Sequence, residues 1–340
     1  MREPLLIVGH GTVDQRGVGE FLGFVDRMRA RLAVDGVAVA GGFIELSAPA
    51  VTEAWRELTE RGHFRLAAIP LVLVAAGHAK GDIPAALARE THRHPGTSYR
   101  FGRPLGPHPT LLSLLAERIA KVVPTDEWST CAVVLVGRGS TDPDANAEVC
   151  KVARLLQETR GFAFVETAFV SLARPDVAEG LTRARLLGAR RVVVAPYFLF
   201  DGVLPQRVTT QATAFAADHP DLTVTVAGHI GDCDGLADLV VERYHEALHG
   251  DIRMNCDTCA HRVLLPGFED KHHAPQIPHH HPNDPADHGH SHGASHGDGH
   301  GHGDGHGHGD GHGYGHGYGH GHGHGASHGD GPGHGGSHDR

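Results

Sequence analysis

The chain lacks what would mark a membrane, secreted or nucleic-acid-binding protein. No apolar run approaches the roughly 20 residues of a membrane-spanning helix. The amino terminus has no basic region, long apolar stretch or small-residue cleavage site, so the sequence reads as cytoplasmic with no membrane partner. Cysteine is scarce and odd in number, five in 340 residues, which argues against a disulfide framework; Cys131, Cys150 and Cys233 are scattered and read as small packed residues. There is no basic stripe or arginine run. The formal net charge is -10, and residues 272–340 supply much of it with seven Asp against one Arg, so nucleic acid is excluded as a partner. The loop GHGTVDQRG lacks the GxGxxG order of a dinucleotide site, and no GxSxG nucleophile elbow occurs.

What the chain does have is the same half twice. Leu5-Leu6-Ile7-Val8-Gly9-His10-Gly11 returns as Val133-Val134-Leu135-Val136-Gly137-Arg138-Gly139. Phe43-Ile44-Glu45-Leu46-Ser47-Ala48-Pro49 returns as Phe169-Val170-Ser171-Leu172-Ala173-Arg174-Pro175, and Pro70-Leu71-Val72-Leu73-Val74 as Pro196-Tyr197-Phe198-Leu199-Phe200. Continuing that register sets Leu204 opposite His78. His10, Glu45 and His78 therefore correspond to Arg138, Ser171 and Leu204: the apolar framework is kept and three polar groups are not.

Each half alternates short apolar runs with amphipathic segments, the pattern of a parallel sheet covered by helices on both faces. Strands are expected at 5–8, 37–44, 65–74 and 98–103, then 132–137, 162–170, 190–199 and 222–227. Helices are expected near 17–33, 48–61, 80–91 and 109–122, then 142–160, 175–187, 203–217 and 234–248. The fold class is α/β, with two tandem doubly wound, four-stranded parallel modules at 1–123 and 129–250 joined by a linker at Pro124-Thr125-Asp126-Glu127. A CxxC segment follows at 251–270. From 271 to 340 the character changes, with 21 of the 32 histidines lying between 272 and 338 among Gly and Asp; such a segment offers too little apolar surface to offset its ordering entropy and is expected to be disordered.

In open α/β sheets ligands bind beyond the carboxyl ends of the strands. His10, Glu45 and His78 follow the first, second and third strands, so three sequence-distant groups can converge on one edge. Singly, a loop histidine or a solvated glutamate is ordinary; their joint loss in the other copy is what marks them. Two imidazoles and a carboxylate suit a first-row divalent ion with coordination positions left open.

These stretches resemble the sirohydrochlorin chelatases of the CbiX type. The likeness rests on LLIVGHGT, on FIELSAPAV, on IPLVLVAAGHAKGDIP and, in the second half, on VLVGRGSTDPDANAEVCKVARLL and PYFLFDGVLPQRV. It implies a chelatase-like fold in both halves, a lyase inserting cobalt (for cobalamin, the favoured reading) or ferrous iron (for siroheme) into a tetrapyrrole, and His10 and His78 as active-site histidines with Glu45 beside them. The chemistry suits the side chains: insertion strips water from the ion and removes two pyrrole protons, and histidine can serve as labile ligand or as base near neutrality. Sirohydrochlorin is a polycarboxylate, so Lys80, Arg103, Arg138 and Arg207 are candidate substrate-binding cations, and the second half is expected to form the opposing wall of the cleft.

Two further segments bear on metals. Cys256 and Cys259 supply two thiolates, short of the four an iron–sulfur cluster or zinc usually takes. The MxCxxC stretch is similar to one associated with an iron–sulfur centre in long CbiX-type chelatases; a partner subunit in a homodimer, another ligand or a remaining cysteine would have to complete it. The histidine-rich tail should bind divalent ions in an affinity order set largely by the ion, copper or nickel ahead of cobalt, as a reservoir feeding His10. The competing function is a metal-storage or metallochaperone protein that works through the tail alone.

Overall fold

The computed structural model describes residues 2–250; Cys256, Cys259 and the histidine-rich segment lie outside the described residues. The first half runs β1 (Leu5–Gly9), α1 (Gln15–Ala33), β2 (Val39–Phe43), α2 (Val51–Glu60), β3 (Arg65–Pro70), a π-helical turn (His78–Asp82), α3 (Ile83–Arg93), β4 (Ser98–Phe101) and α4 (Pro109–Ala120). A 3₁₀ turn (Thr125–Thr130) leads to β5 (Ala132–Gly137), α5 (Pro143–Arg160), β6 (Phe164–Phe169), α6 (Val177–Leu186), β7 (Arg191–Pro196), α7 (Val203–Asp218), β8 (Thr223–Val226) and α8 (Asp234–His249). Both sheets are parallel, in the orders β2-β1-β3-β4 and β6-β5-β7-β8. Two tandem four-stranded modules are thus present as the alternation of apolar runs implies.

Strand alternation builds three cores. Leu5 and Ile7 of β1 and Val133 and Leu135 of β5 face one shared central core, with side chains from α1, α4, α5 and α8. Leu6 and Val8 face outward to Trp55, Leu58, Ile83 and Leu87 of α2 and α3. Val134 and Val136 face Val177, Leu181, Val208 and Ala212 of α6 and α7. Strand period two and buried parallel pairing explain why these strands read as continuous apolar runs.

The modules are not merely side by side, because each lends its last helix to the other. α8 packs on β3 and β4 of the first sheet, while α4 packs on β7 and α5 of the second. The exchange carries matched polar contacts: Arg118 of α4 donates to the carbonyls of His229 and Ile230 after β8, and Arg243 of α8 donates to the carbonyl of Leu105 after β4. Arg243 is fully buried and its charge is met by Glu242 at 3.0 Å and Glu246 at 3.1 Å, the latter also bound by Arg103.

Two expectations shift. The linker expected at 124–127 runs into a 3₁₀ turn, in which Trp128 is buried, lies tilted against Phe162 with ring centroids 4.4 Å apart, and donates to Val123 O at 3.2 Å. The strands expected at 65–74 and 190–199 stop at Pro70 and Pro196, because the apolar residues beyond them leave the sheet for the central core, where Leu71, Tyr197 and Leu199 are buried.

Candidate active site

The loops after β1 and β2 are sewn together by their backbones. Ile44 N–H donates to Gly9 O at 3.0 Å and Glu45 N–H to His10 O at 3.1 Å. So close an approach leaves no room for a side chain at Gly11, whose φ is +110° and where a β-carbon would run into the Glu45 carbonyl oxygen. Leu46 turns the chain with φ +64°. The Ser47 hydroxyl closes the arrangement, accepting from Thr12 N–H at 2.9 Å and donating to Thr12 O at 2.5 Å. This scaffold puts His10 Nε2 3.1 Å from Glu45 Oε1, with His10 Nδ1 3.0 Å from Gly11 O.

The second half keeps the scaffold without those side chains. Ser171 N–H donates to Arg138 O at 3.0 Å, Gly139 has φ +85° with its missing β-carbon against Ser171 O, and Leu172 has φ +58°. Position for position, Arg138 stands for His10 and Ser171 for Glu45.

His78 opens the π-helical turn that follows β3, and π turns are rare elements often found at functional sites; the corresponding α7 starts as regular α-helix at Val203. Ala76 and Ala79, flanking His78, line the same cavity as His10. The structure thus joins two of the three expected ligands by side chain and sets the third by its backbone. Among the described residues no group of three His, Cys, Asp or Glu side chains forms a metal cluster.

The cavity holds about 510 Å³ and lies between the halves, at the carboxyl ends of β1, β3, β5 and β7, within the usual range for small-molecule sites. Its walls are mostly apolar and come from both halves, as expected of the second half. Arg138 lines it directly. The other cations expected at substrate are placed otherwise: Lys80 Nζ sits 2.7 Å from Asp142 and 3.0 Å from Asp144, Arg103 makes paired bonds to Glu246, and Arg207 is exposed on α7 outside the cavity lining.

Sequence reasoning missed Tyr197. It lines the cavity, is 3% exposed, and its hydroxyl has no hydrogen-bond partner. Burial, with the Glu148 carboxylate in addition, pushes that hydroxyl well above the ordinary phenol range and keeps it protonated. The signal was the mismatch of a hydroxylated ring with Leu71.

The CbiX family matches residues 4–122 and again 132–247. The chain belongs to the CbiX family. Among CbiX relatives, the sirohydrochlorin cobaltochelatase of Priestia megaterium is 34% identical over 272 residues, 79% of this chain and 88% of that protein. The sirohydrochlorin ferrochelatase of the same organism is 31% identical over 238 residues, 70% and 88%. SirB from Bacillus subtilis with Fe3+ superimposes with a TM-score of 0.65 at 28% identity, covering 74% of this chain and 98% of SirB. The cobalt complex of SirB from the subspecies spizizenii gives 0.62 at 27%, covering 74% and 97%. No helix among the described residues is long and apolar enough to cross a membrane.

Proposed function

We propose that this chain is a sirohydrochlorin metallochelatase, and that His10, Glu45 and His78 take the divalent metal substrate while the inter-half cavity takes the macrocycle. The reading rests first on the His10–Glu45 contact at the cavity wall. In the neutral tautomer with Nδ1–H donating to Gly11 O, the Nε2 lone pair faces a carboxylate oxygen 3.1 Å away. Two acceptors so placed want a cation between them, and either a proton or a metal ion fills that need. One site can therefore release M²⁺ and accept one of the two pyrrole protons that insertion into a free-base ring displaces, the other passing to a second base such as His78 or to solvent. His78, on the turn bordering the same cavity, would complete the ligand set.

The apolar walls suit the face of a macrocycle, and Arg138, in the place of His10 across the cavity, suits one of its carboxylates. Arg207 would serve only a substituent reaching out of the cavity. Cobalt is the leading reading and ferrous iron the second, the two metals that the names of the Priestia megaterium relatives carry. The test is anaerobic incubation with sirohydrochlorin and Co²⁺ or Fe²⁺, followed by the absorption change of the macrocycle. His10→Ala should abolish insertion with its circular dichroism unchanged. Wild-type turnover by that variant would overturn the assignment.

A further inference from the structure

The repeat keeps a second set of correspondences that joins the halves. Asp14 and Asp142 cap α1 and α5, and Glu20 and Glu148 follow at matching places one and a half turns into each helix. Each pair grips the segment beyond the central strand of the other half. Glu148 accepts from Ala75 N–H at 2.9 Å, and Glu20 accepts from Asp201 N–H at 2.8 Å. Asp142 takes the ammonium of Lys80 at 2.7 Å, joined by Asp144 at 3.0 Å; Asp14 takes the amide of Gln206 at 2.9 Å, with Arg16 3.4 Å from Asp201.

The grips are alike in place and unlike in what they hold. The one from α5 holds residues 75–80, which carry His78; the one from α1 holds residues 201–206, which carry Leu204. Residues 71–76 form neither helix nor strand, and the turn after them contains a π turn, a rare geometry frequent at functional sites. Charge-assisted bonds are the stronger kind, and all three contacts on residues 75–80 are of that kind.

We infer that Asp142, Asp144 and Glu148 are positioning residues for the His78-bearing turn, so that the second half sets the metal-handling geometry of the first. This rests on the metal reading above. None of the three needs to touch the metal or the macrocycle. Groups that orient a ligand typically change metal affinity by about tenfold to a hundredfold when removed.

The two grips provide their own control. In the full-length protein, with free Co²⁺ fixed by a metal buffer so that the histidine-rich tail cannot alter it, the KM for Co²⁺ in sirohydrochlorin metallation is compared across variants. Glu148→Ala should raise that KM about tenfold; Glu148→Gln, whose amide oxygen still accepts from Ala75 N–H, should recover most of the loss. Asp142→Asn with Asp144→Asn, which preserves the α5 cap, should act in the same direction as Glu148→Ala. Glu20→Ala loses the equivalent bond from the segment without a histidine and should leave the KM for Co²⁺ within about twofold. Equal rises for Glu148→Ala and Glu20→Ala would reduce the effect to general packing and overturn the inference, as would no rise for Glu148→Ala while His10→Ala is inactive. Full activity of His10→Ala would overturn the site reading and the inference with it.

Discussion

Gly11→Ala separates scaffold from chemistry, because Gly139→Ala repeats the same injury on the other side of the cavity. Both glycines have left-handed φ, +110° and +85°, and at both a β-carbon would collide with the carbonyl oxygen of the adjoining loop, Glu45 O or Ser171 O. An alanine there bears backbone strain of about 1–3 kcal/mol. The collision also pushes the loops apart and strains the bonds that tie them, Glu45 N–H to His10 O or Ser171 N–H to Arg138 O, each worth about 1 kcal/mol. Each variant should therefore lose about 3 kcal/mol, which at about 2–4 °C per kcal/mol for a fold of this size lowers Tm by about 6–12 °C. Their activities should diverge. In Gly11→Ala the displaced loops carry His10 and Glu45, and a displacement near 1 Å can reduce turnover by about a hundredfold; in Gly139→Ala the loops carry Arg138 and Ser171, and the fall should stay below about tenfold. Calorimetry and metallation rates measured on both variants decide it. Equal loss of turnover at equal loss of Tm would refute the division of roles between the halves.

Two further outcomes concern the exchanged helices. Arg243→Met removes a fully buried guanidinium that bonds Leu105 O, Glu242 and Glu246; since Arg103 and His108 still face the two glutamates, the loss should sit near the lower end of the usual 3–5 kcal/mol, about 3, and an unchanged Tm would refute the placement. Glu242 is held down to about 2 by the His108 imidazole 3.3 Å away, with Arg243 adding to the effect. A folded value below the usual carboxylate range stabilises above about pH 4.5 and is lost as pH falls toward 2. Glu242→Gln should therefore lose less stability than the parent between pH 5 and pH 3 in urea unfolding, and identical slopes would refute the pairing.

The order of elements, both parallel sheets and the matched loops were legible because the same apolar alternation occurs twice, and a parallel strand buried on both faces leaves little choice of pattern. The mismatches pointed to His10 and Glu45, which the structure brings within 3.1 Å. The helix exchange was not legible. α4 is buried on several sides, through Leu111, Leu112, Leu114, Leu115 and Ile119, and an apolar helix says that it is covered without saying by what. The cations misled for a related reason: Lys80 and Arg103 lie near strand ends as expected, but their partners Asp142, Asp144 and Glu246 come from the other half. The grips were open to discovery, since Asp14 and Glu20 recur as Asp142 and Glu148; attention to what the repeat had lost hid what it had kept.

The helix exchange explains why a half without counterparts of His10, Glu45 and His78 persists. Leu236, Leu239, Val240 and Tyr244 of α8 are buried in the central core that the first sheet shares, and the Tyr244 hydroxyl donates to Glu3 O, beside β1. At about 1.5–3 kcal/mol for each large apolar side chain, these four alone bring about 6–12 kcal/mol, as much as the whole net stability of a typical domain. A first half deprived of α8 would lose burial of that size, which ties the second half to the first whatever its loops do. Its loop ends are under no such constraint. They could carry Arg138 where the first half has the His10 imidazole, and Ser171 where it has the Glu45 carboxylate, while the strands, the glycine-bearing turns and the grips from α5 stayed fixed. The asymmetry of the site and the symmetry of the fold then have one cause: core and clasps are shared between the halves, and the side chains at the cavity wall are not.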